Sequence, residues 1–387
     1  MSEDLVYLDY AASTPVDERV SGLMTEIMTR DFANPSSTHA AGRTATARIE
    51  VATEQLASLL NTAPSKLVWT SGATESDNLA IMGAARFRDN KGRHLISMRT
   101  EHKAVTDAFD ALVRQGFDVT WVEPAANGLL ALQTLEAAIR EDTQLVSIMH
   151  VNNETGAIQD IASIGQMCRE RDILFHVDAA QSVGKLPIDL DRLPVDMMSM
   201  TAHKVYGPKG IGALYIDEKP GCHVMPLLFG GGQQRRLRPG TMPAPLIAAF
   251  GLAAEIAAGR MADDHAHLVR LRNRLWNGIR SISGVSQNGD LDSTFPGILN
   301  VSIEGIEGES LLLALEPICV ATGSACNSQS QEPSYVLRAL GRSDALAQSA
   351  IRFSFGRPSS DQDIDFAIQK YTEAVARLRR IAPGEAA

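Results

Sequence analysis

Two stretches decide the fold: Ile173-Leu-Phe-His-Val-Asp-Ala-Ala-Gln-Ser182 and Met197-Met-Ser-Met-Thr-Ala-His-Lys204. Each is a short apolar run that ends in polar, reactive side chains. Such a run reads as a strand buried on both faces, the kind found in a parallel sheet covered by helices. Outward from these two, the same pattern recurs. Leu67–Thr70, Leu95–Met98, Val119–Val122, Leu145–His150 and Gly212–Ile216 are further short apolar runs, and stretches of helical period separate most of them. Strands alternating with helices predict an α/β fold, with a mostly parallel sheet flanked by helices on both faces.

In such a sheet, ligands gather beyond the carboxyl ends of the strands. Five polar clusters fall there: SGATES after Thr70, TEHKA after Arg99, VNNETG after His150, DAAQS after Val177 and TAHK after Met200. One or two polar strand ends arise by chance; five predict a common pocket. Further on, an Ala-rich helical stretch covers Leu246–Met261. The pattern then changes to an amphipathic helix, the strands ILNVSI and IRFSF, and a long terminal helix. The reading is a large domain over residues 15–255 and a smaller α+β domain made of residues 1–14 and 256–387.

Lys and Arg number 36 against 46 Asp and Glu, a net charge of −10. A surface of that sign repels phosphate backbones and anionic lipid, so no nucleic acid and no membrane is expected as a main partner. The acidic start, MSEDLVYLDY, lacks the apolar core of a secretory signal. Four Cys, with no C-x-x-C spacing, are too few for a disulfide scaffold. A cytoplasmic setting is expected, with no resident metal.

The polar clusters carry distinct chemistry. Ser71-Gly72-Ala73-Thr74 joins a strand to a helix, where backbone N–H groups and the Thr74 hydroxyl suit an anion; Thr74 acting as a simple N-cap is the alternative. Asp178 at a buried strand end needs a cationic partner, either a pyridinium nitrogen or an Arg. Lys204 is either a solvated side chain or a Schiff-base lysine. An anion loop, a strand-end Asp and a later strand-end Lys together describe a pyridoxal phosphate site. His102 is either a packed histidine or a flat ring that stacks on the cofactor and moves protons. Arg352, inside the strand IRFSF, must find an anion: a structural carboxylate or that of a substrate. Cys326 lies among small residues in ATGSACNS, as befits a reactive thiol. Cys168 and Cys319 suit structural positions. Cys222 beside His223 reads as a non-catalytic surface pair.

Together LDYAASTP, NPSSTHAAGR, TSGATESDNLA, TEHKAV, HVNNETG, HVDAAQ, AHKVYGPKG, RPGT, GSACNS and EPSYVLRALG resemble the pyridoxal phosphate-dependent cysteine desulfurases of the NifS/IscS type, from about Leu8 to about Ile364. The resemblance implies the fold-type I transferase architecture and a homodimer. It implies that Lys204 holds the cofactor, Asp178 pairs with its ring nitrogen, Gln181 bonds the ring hydroxyl and His102 stacks on the ring. Ala73, Thr74, Thr201 and His203 would hold the phosphate, joined by Thr241 from the other subunit. Asn153 and Arg352 would bind the substrate carboxylate.

The implied reaction converts L-cysteine to L-alanine and leaves the sulfur as a persulfide on Cys326. A sulfur-acceptor protein, an iron–sulfur scaffold or a thiolation enzyme, would take it on, and Cys326 can transiently share a cluster with such a scaffold. Many members of the family continue into a longer tail that helps to dock the scaffold, so the acceptor stays open. A selenocysteine lyase or an aminotransferase on the same fold, or a cofactor-bearing sulfur-relay scaffold with weak turnover, are the alternatives. Thr201 stands where many members carry Ser and keeps the hydroxyl; Arg236 stands where Gly is common.

Overall fold

The computed structural model describes residues 5–322 and 332–381. Val6–Tyr7 forms β1. The apolar runs then give β2 (Leu67–Thr70), β3 (His94–Met98), β4 (Asp118–Val122), β5 (Thr143–Ser147), β6 (Leu174–Asp178), β7 (Met197–Thr201) and β8 (Gly212–Ile216). These seven make one sheet in the order β2-β8-β7-β6-β5-β3-β4. Only β8 runs against its neighbours; β3 to β7 pair in parallel.

The runs are apolar throughout because both faces are covered. Trp69, Val146, Phe175, Val177, Met198 and Tyr215 point into one apolar cluster, together with Leu56, Ile164 and Phe250. Their alternates Val68, Leu95, Leu145, Leu174, Met197 and Leu214 point into another, with Leu79, Val105 and Phe109. This is the two-residue period of a strand buried on both sides. Helices Ala73–Phe87 and Lys103–Val113 cover the second face. Helices Ala40–Leu59, Ile161–Glu170 and the start of Ala244–Ile279 cover the first.

A third cluster lies around β9 (Val285–Gln287), β10 (Ile298–Ile303), β11 (Ile318–Cys319), β12 (Ala321–Thr322) and β13 (Ile351–Ser354). The order β12-β13-β10-β9 is antiparallel throughout, and β1 pairs in parallel with β11. The terminal helix Asp361–Ile381 buries Ile364, Ala367, Tyr371, Ala374 and Val375, a single stripe at helical spacing. Leu8 and Ala11 join the same cluster, so the start of the chain packs with its end.

The boundary read at residues 255–256 falls inside one continuous helix, Ala244–Ile279. Its first half, through Ala257, packs toward the large sheet and helices Glu18–Thr29 and Ala40–Leu59. Its second half, from Leu268, packs into the third cluster. By length and composition this helix matches a membrane span, but its apolar faces are occupied by these contacts. The helices Glu18–Thr29 and Ala40–Leu59 and the short strands β1 and β9 are additions to the sequence reading. The run read as a strand over Leu145–His150 is assigned as a strand to Ser147, and Ile148 and His150 go on donating to the β6 carbonyls of His176 and Asp178 at 3.1 and 2.9 Å as the chain approaches the cleft described next.

Candidate active site

Beyond the carboxyl ends of β5, β6 and β7 lies a cavity of about 570 Å³. A volume of this size suits a small cofactor together with a small substrate. On one side stands the start of helix Ala73–Phe87. Its N-cap is Gly72, with no side-chain cap bond, so Thr74 is free of the capping duty that the alternative reading gave it. Ser71, Gly72, Ala73 and Thr74 line the cavity, and the positive end of the helix faces an incoming anion. The loop is braced from behind: Ser71 N–H donates to Glu75 Oε2 at 2.7 Å, and Arg238 Nε donates to Glu75 Oε1 at 2.9 Å. It also lies flat on β8. A Cβ on Gly212 would stand 2.5 Å from the Met200 carbonyl oxygen and 2.6 Å from Gly72 Cα, so only glycine fits.

Asp178 ends β6, and Lys204 follows three residues after the end of the adjoining β7. Asp178 is buried, and its Oδ1 accepts the Ala180 N–H at 2.9 Å, which fixes the carboxylate. His102 caps helix Lys103–Val113: its Nδ1 accepts the Ala104 N–H at 3.1 Å. That bond puts the proton of the neutral ring on Nε2. Burial, reinforced by the Lys204 charge, holds His102 below its ordinary value and so keeps it neutral. Gln181 Nε2 donates to the Ala11 carbonyl at 2.7 Å, and its Oε1 accepts from Lys185 Nζ at 3.0 Å. His203 is pushed down to about 4 by burial, with the charges of Lys204, Lys209 and Lys185 adding to it.

At the far corner, the Arg352 guanidinium is buried. Nη1 donates to the Asn153 carbonyl at 2.7 Å and Nη2 to Asp9 Oδ1 at 2.7 Å. Nε is also buried and makes no hydrogen bond among the described residues. Arg352 therefore already has a structural carboxylate, and its side chain also lines the cavity. These groups fit pyridoxal phosphate: an uncapped helix start for the phosphate, a fixed buried carboxylate for a ring nitrogen, and a lysine at the next strand end.

Of the residues singled out in the sequence, Ala73, Thr74, His102, Asn153, Asp178, Gln181, Thr201, His203, Lys204 and Arg352 all line this one cavity. Thr241 does not; it is exposed, on the segment before helix Ala244–Ile279. Cys326 lies outside the described residues. Cys222 is not at the surface as expected: it is 1% exposed, and its thiol contacts the Asp196 carbonyl at 3.5 Å.

Several residues went unmarked in the sequence. Asp77 lines the cavity, fully buried, 3.6 Å from His176 Nε2; burial and the neighbouring Asp178 raise its carboxyl well above the usual range. Glu101 is also raised by burial, and Glu154 is raised to about 7 by burial. Lys185 is pushed down to about 7 by burial and by the charges of Lys204 and Arg352. Asp77 and Glu154 stand within the quoted motifs TSGATESDNLA and HVNNETG, and their place there is the signal that could have found them.

The Aminotransferase class-V family model matches residues 6–366. The cysteine desulfurases IscS of Serratia proteamaculans (strain 568) and of Escherichia coli (strain K12 / DH10B) are each 54% identical over 381 residues, covering 98% of this chain and 94% of their own. Among solved structures, a NifS-like protein superimposes with a TM-score of 0.91 at 36% identity, covering 97% of this chain and 100% of its own. SspA, solved in complex with cysteine, gives 0.82 at 40% identity, covering 91% and 99%. The chain thus belongs to the class-V aminotransferases and, within them, to the pyridoxal phosphate-dependent cysteine desulfurases.

Proposed function

We propose that this cysteine desulfurase passes the sulfur of L-cysteine to Cys326 as a persulfide, releases L-alanine, and hands the sulfur to an acceptor protein for iron–sulfur cluster assembly or thiolation. The observation that carries the reading is the convergence of Lys204, Asp178, His102 and the uncapped helix start on one cavity that also holds Arg352. Bound pyridoxal phosphate supplies an electron sink next to the substrate α-carbon. In this reading Lys204 anchors the cofactor and, once displaced, moves the α-proton. Asp178 holds the ring nitrogen protonated, and Gln181 meets the ring hydroxyl. Ala73, Thr74, Thr201 and His203 hold the phosphate.

Asn153 and Arg352 hold the substrate carboxylate. The Cys326 thiolate attacks the substrate sulfur. A sulfur–sulfur bond forms as the carbon–sulfur bond breaks, and its electron pair stays on carbon. Protonation of that carbon, together with return of a proton to the α-carbon by Lys204, completes alanine. With Nδ1 accepting the Ala104 N–H, the proton of the neutral His102 ring is on Nε2, so in this reading it donates first and becomes an acceptor after that proton has left.

Residues 15–255 serve as the cofactor-binding unit, and residues 1–14 with 256–387 as the unit that brings Cys326. The active species is a homodimer in the cytoplasm, with Thr241 serving the neighbouring subunit's phosphate. In support, Phe229 is 88% exposed and Leu228 is also exposed, on the segment that leads to Thr241. The test follows alanine release and protein mass after L-cysteine is added. Lys204→Ala should lose the cofactor adduct trapped by borohydride and lose turnover. Cys326→Ala should keep the absorbance change on adding L-cysteine but gain no sulfur and release little alanine. Normal turnover in Cys326→Ala would sink the acceptor assignment.

A further inference from the structure

We propose that Lys185 is a positioning residue for the cofactor ring: it donates to the Gln181 carboxamide from behind and so fixes the N–H that Gln181 offers to the ring hydroxyl. The inference rests on Gln181 meeting that hydroxyl. The chain builds the pair locally. After β6 the backbone winds on itself: the Val183 N–H donates to the Ala179 carbonyl at 3.0 Å and the Leu186 N–H to that of Ser182 at 2.9 Å. Side chains four residues apart on such a winding are neighbours, and Gln181 and Lys185 have that spacing. Gly184 has a φ of 73°, and a Cβ there would stand 2.4 Å from Val205 Cγ2. The winding thus lies hard against the residue that follows Lys204.

Gln181 is buried, and its carboxamide carries two N–H donors and an oxygen with two lone pairs. The Ala11 carbonyl can only accept, so it fixes Nε2 on its own side, at 2.7 Å. Oε1 on the other side then needs a donor, and Lys185 Nζ supplies it at 3.0 Å. An amine donates whether charged or neutral, so the bond does not depend on the Lys185 charge. Both partners are themselves held. The Ala11 N–H donates to Ser354 Oγ at 2.9 Å, on the strand that carries Arg352. Lys185 Nζ stands 5.6 Å from the centre of the Phe295 ring, within reach of its face. The second N–H of Gln181 is left for the cavity that Gln181 lines.

Lys185 acts through Gln181 because it is not itself in the cavity wall among the described residues. Nor does any carboxylate pair with it among them. The charges that act on it are those of Lys204 and Arg352, both cations, and the neighbouring His203 is held neutral. A half-buried lysine without a counter-charge is costly to keep. Its bond to Gln181 is what separates it here from an apolar side chain of the same length. Donation to Oε1 polarises the carboxamide and strengthens the bonds that its N–H groups donate. A donor at the ring hydroxyl favours the ionised oxygen, so it lowers the pH at which bound cofactor gives up its proton. Removing Lys185 raises that pH.

The experiment titrates the absorbance of the bound cofactor against pH in the holoenzyme without substrate, and so reads the ring and not turnover. Lys185→Met, which keeps the length and removes the donor, should raise the midpoint by about 0.5–1 pH unit. Lys185→Arg, which keeps a donor, should return it toward the parent value. Gln181→Met should raise the midpoint at least as far, and adding Lys185→Met to it should move the midpoint by less than about 0.3 pH unit more. Lys185→Ala carries the same test if Lys185→Met fails to fold. A lowered melting temperature with an unmoved midpoint makes Lys185 a packing residue only and overturns the proposal. So does a Lys185→Met shift that persists in full beside Gln181→Met, because the lysine then acts by its charge and not through the carboxamide. An unmoved midpoint in Gln181→Met alone overturns the reading of Gln181 at the ring hydroxyl, and this inference with it.

Discussion

Replacing Arg352 by Lys keeps the positive charge and removes the fork. The guanidinium spans two acceptors, the Asn153 carbonyl and Asp9 Oδ1, each at 2.7 Å, while its Nε stays buried and unpaired. A lysine ammonium is a single point and cannot hold both acceptors and a substrate carboxylate in one plane. A hydrogen bond to a charged group contributes about 1.5–3 kcal/mol. Losing one such bond to the substrate lowers kcat/KM by roughly 10- to 150-fold, since 1.4 kcal/mol is a factor of ten. The carboxylate is remote from the carbon–sulfur bond and is held alike before and during reaction, so the loss should appear in KM. Alanine formation at varied L-cysteine measures this directly. Cysteamine, which lacks the carboxylate, is the internal control: the preference for L-cysteine over it should shrink by the same factor. A variant with a lowered melting temperature but an unchanged KM and preference would show that Arg352 serves only Asp9 and Asn153, and the substrate-clamp argument would fall.

Three further outcomes follow from the geometry. At pH 8 an alkylating reagent should label neither Cys168 nor Cys222 in the folded protein, because burial pushes both thiols up to about 12; peptide mapping that finds either one labelled contradicts this. Arg236 has a φ of 65°, a conformation that favours glycine, so Arg236→Gly should stabilise the fold by about 1 kcal/mol, seen as a higher melting temperature; no rise refutes it. Burial raises Glu154 from 4.5 to about 7, so its contribution is favourable at low pH and is lost as pH climbs from 4.5 through 7. Glu154→Gln mimics the protonated form, and its stability relative to the parent should therefore rise between pH 5 and pH 8; a flat difference argues that the carboxyl is ionised throughout.

The residues that could be read from the sequence are those whose signal is local. Asp178 and Lys204 stand where an apolar run turns polar, and a strand end in a parallel sheet is the one place where that pattern must face a ligand. Asp77 gives no such signal. It sits early in a helix, where a carboxylate is ordinary, and it is buried only because that helix lies across β6 and β7. Glu101 and Glu154 likewise meet partners, Tyr335 and Ser334, that stand more than a hundred residues away. Helix Ala40–Leu59 escaped notice for a packing reason. It buries Gly42, Ala45, Ala52, Leu56 and Ala57, mostly small residues that make a weak apolar stripe. Small residues are what its crossing demands: a Cβ on Gly251 would stand 2.4 Å from Ala52 Cα.

Helix Ala244–Ile279 has a mechanical consequence. At 1.5 Å per residue its 36 residues extend about 54 Å. The ends are embedded in different apolar clusters, while the stretch around Asp263 is largely bare. Asp264, in that bare stretch, is held by Arg357 Nε at 2.5 Å. A helix clamped at both ends and braced in the middle acts as a strut. Neither cluster can swing or melt away without bending or breaking the hydrogen-bond ladder of the other's support. Slow amide exchange should thus run through the bare middle turns as well as the buried ends, and the two halves of the chain should open as one cooperative unit.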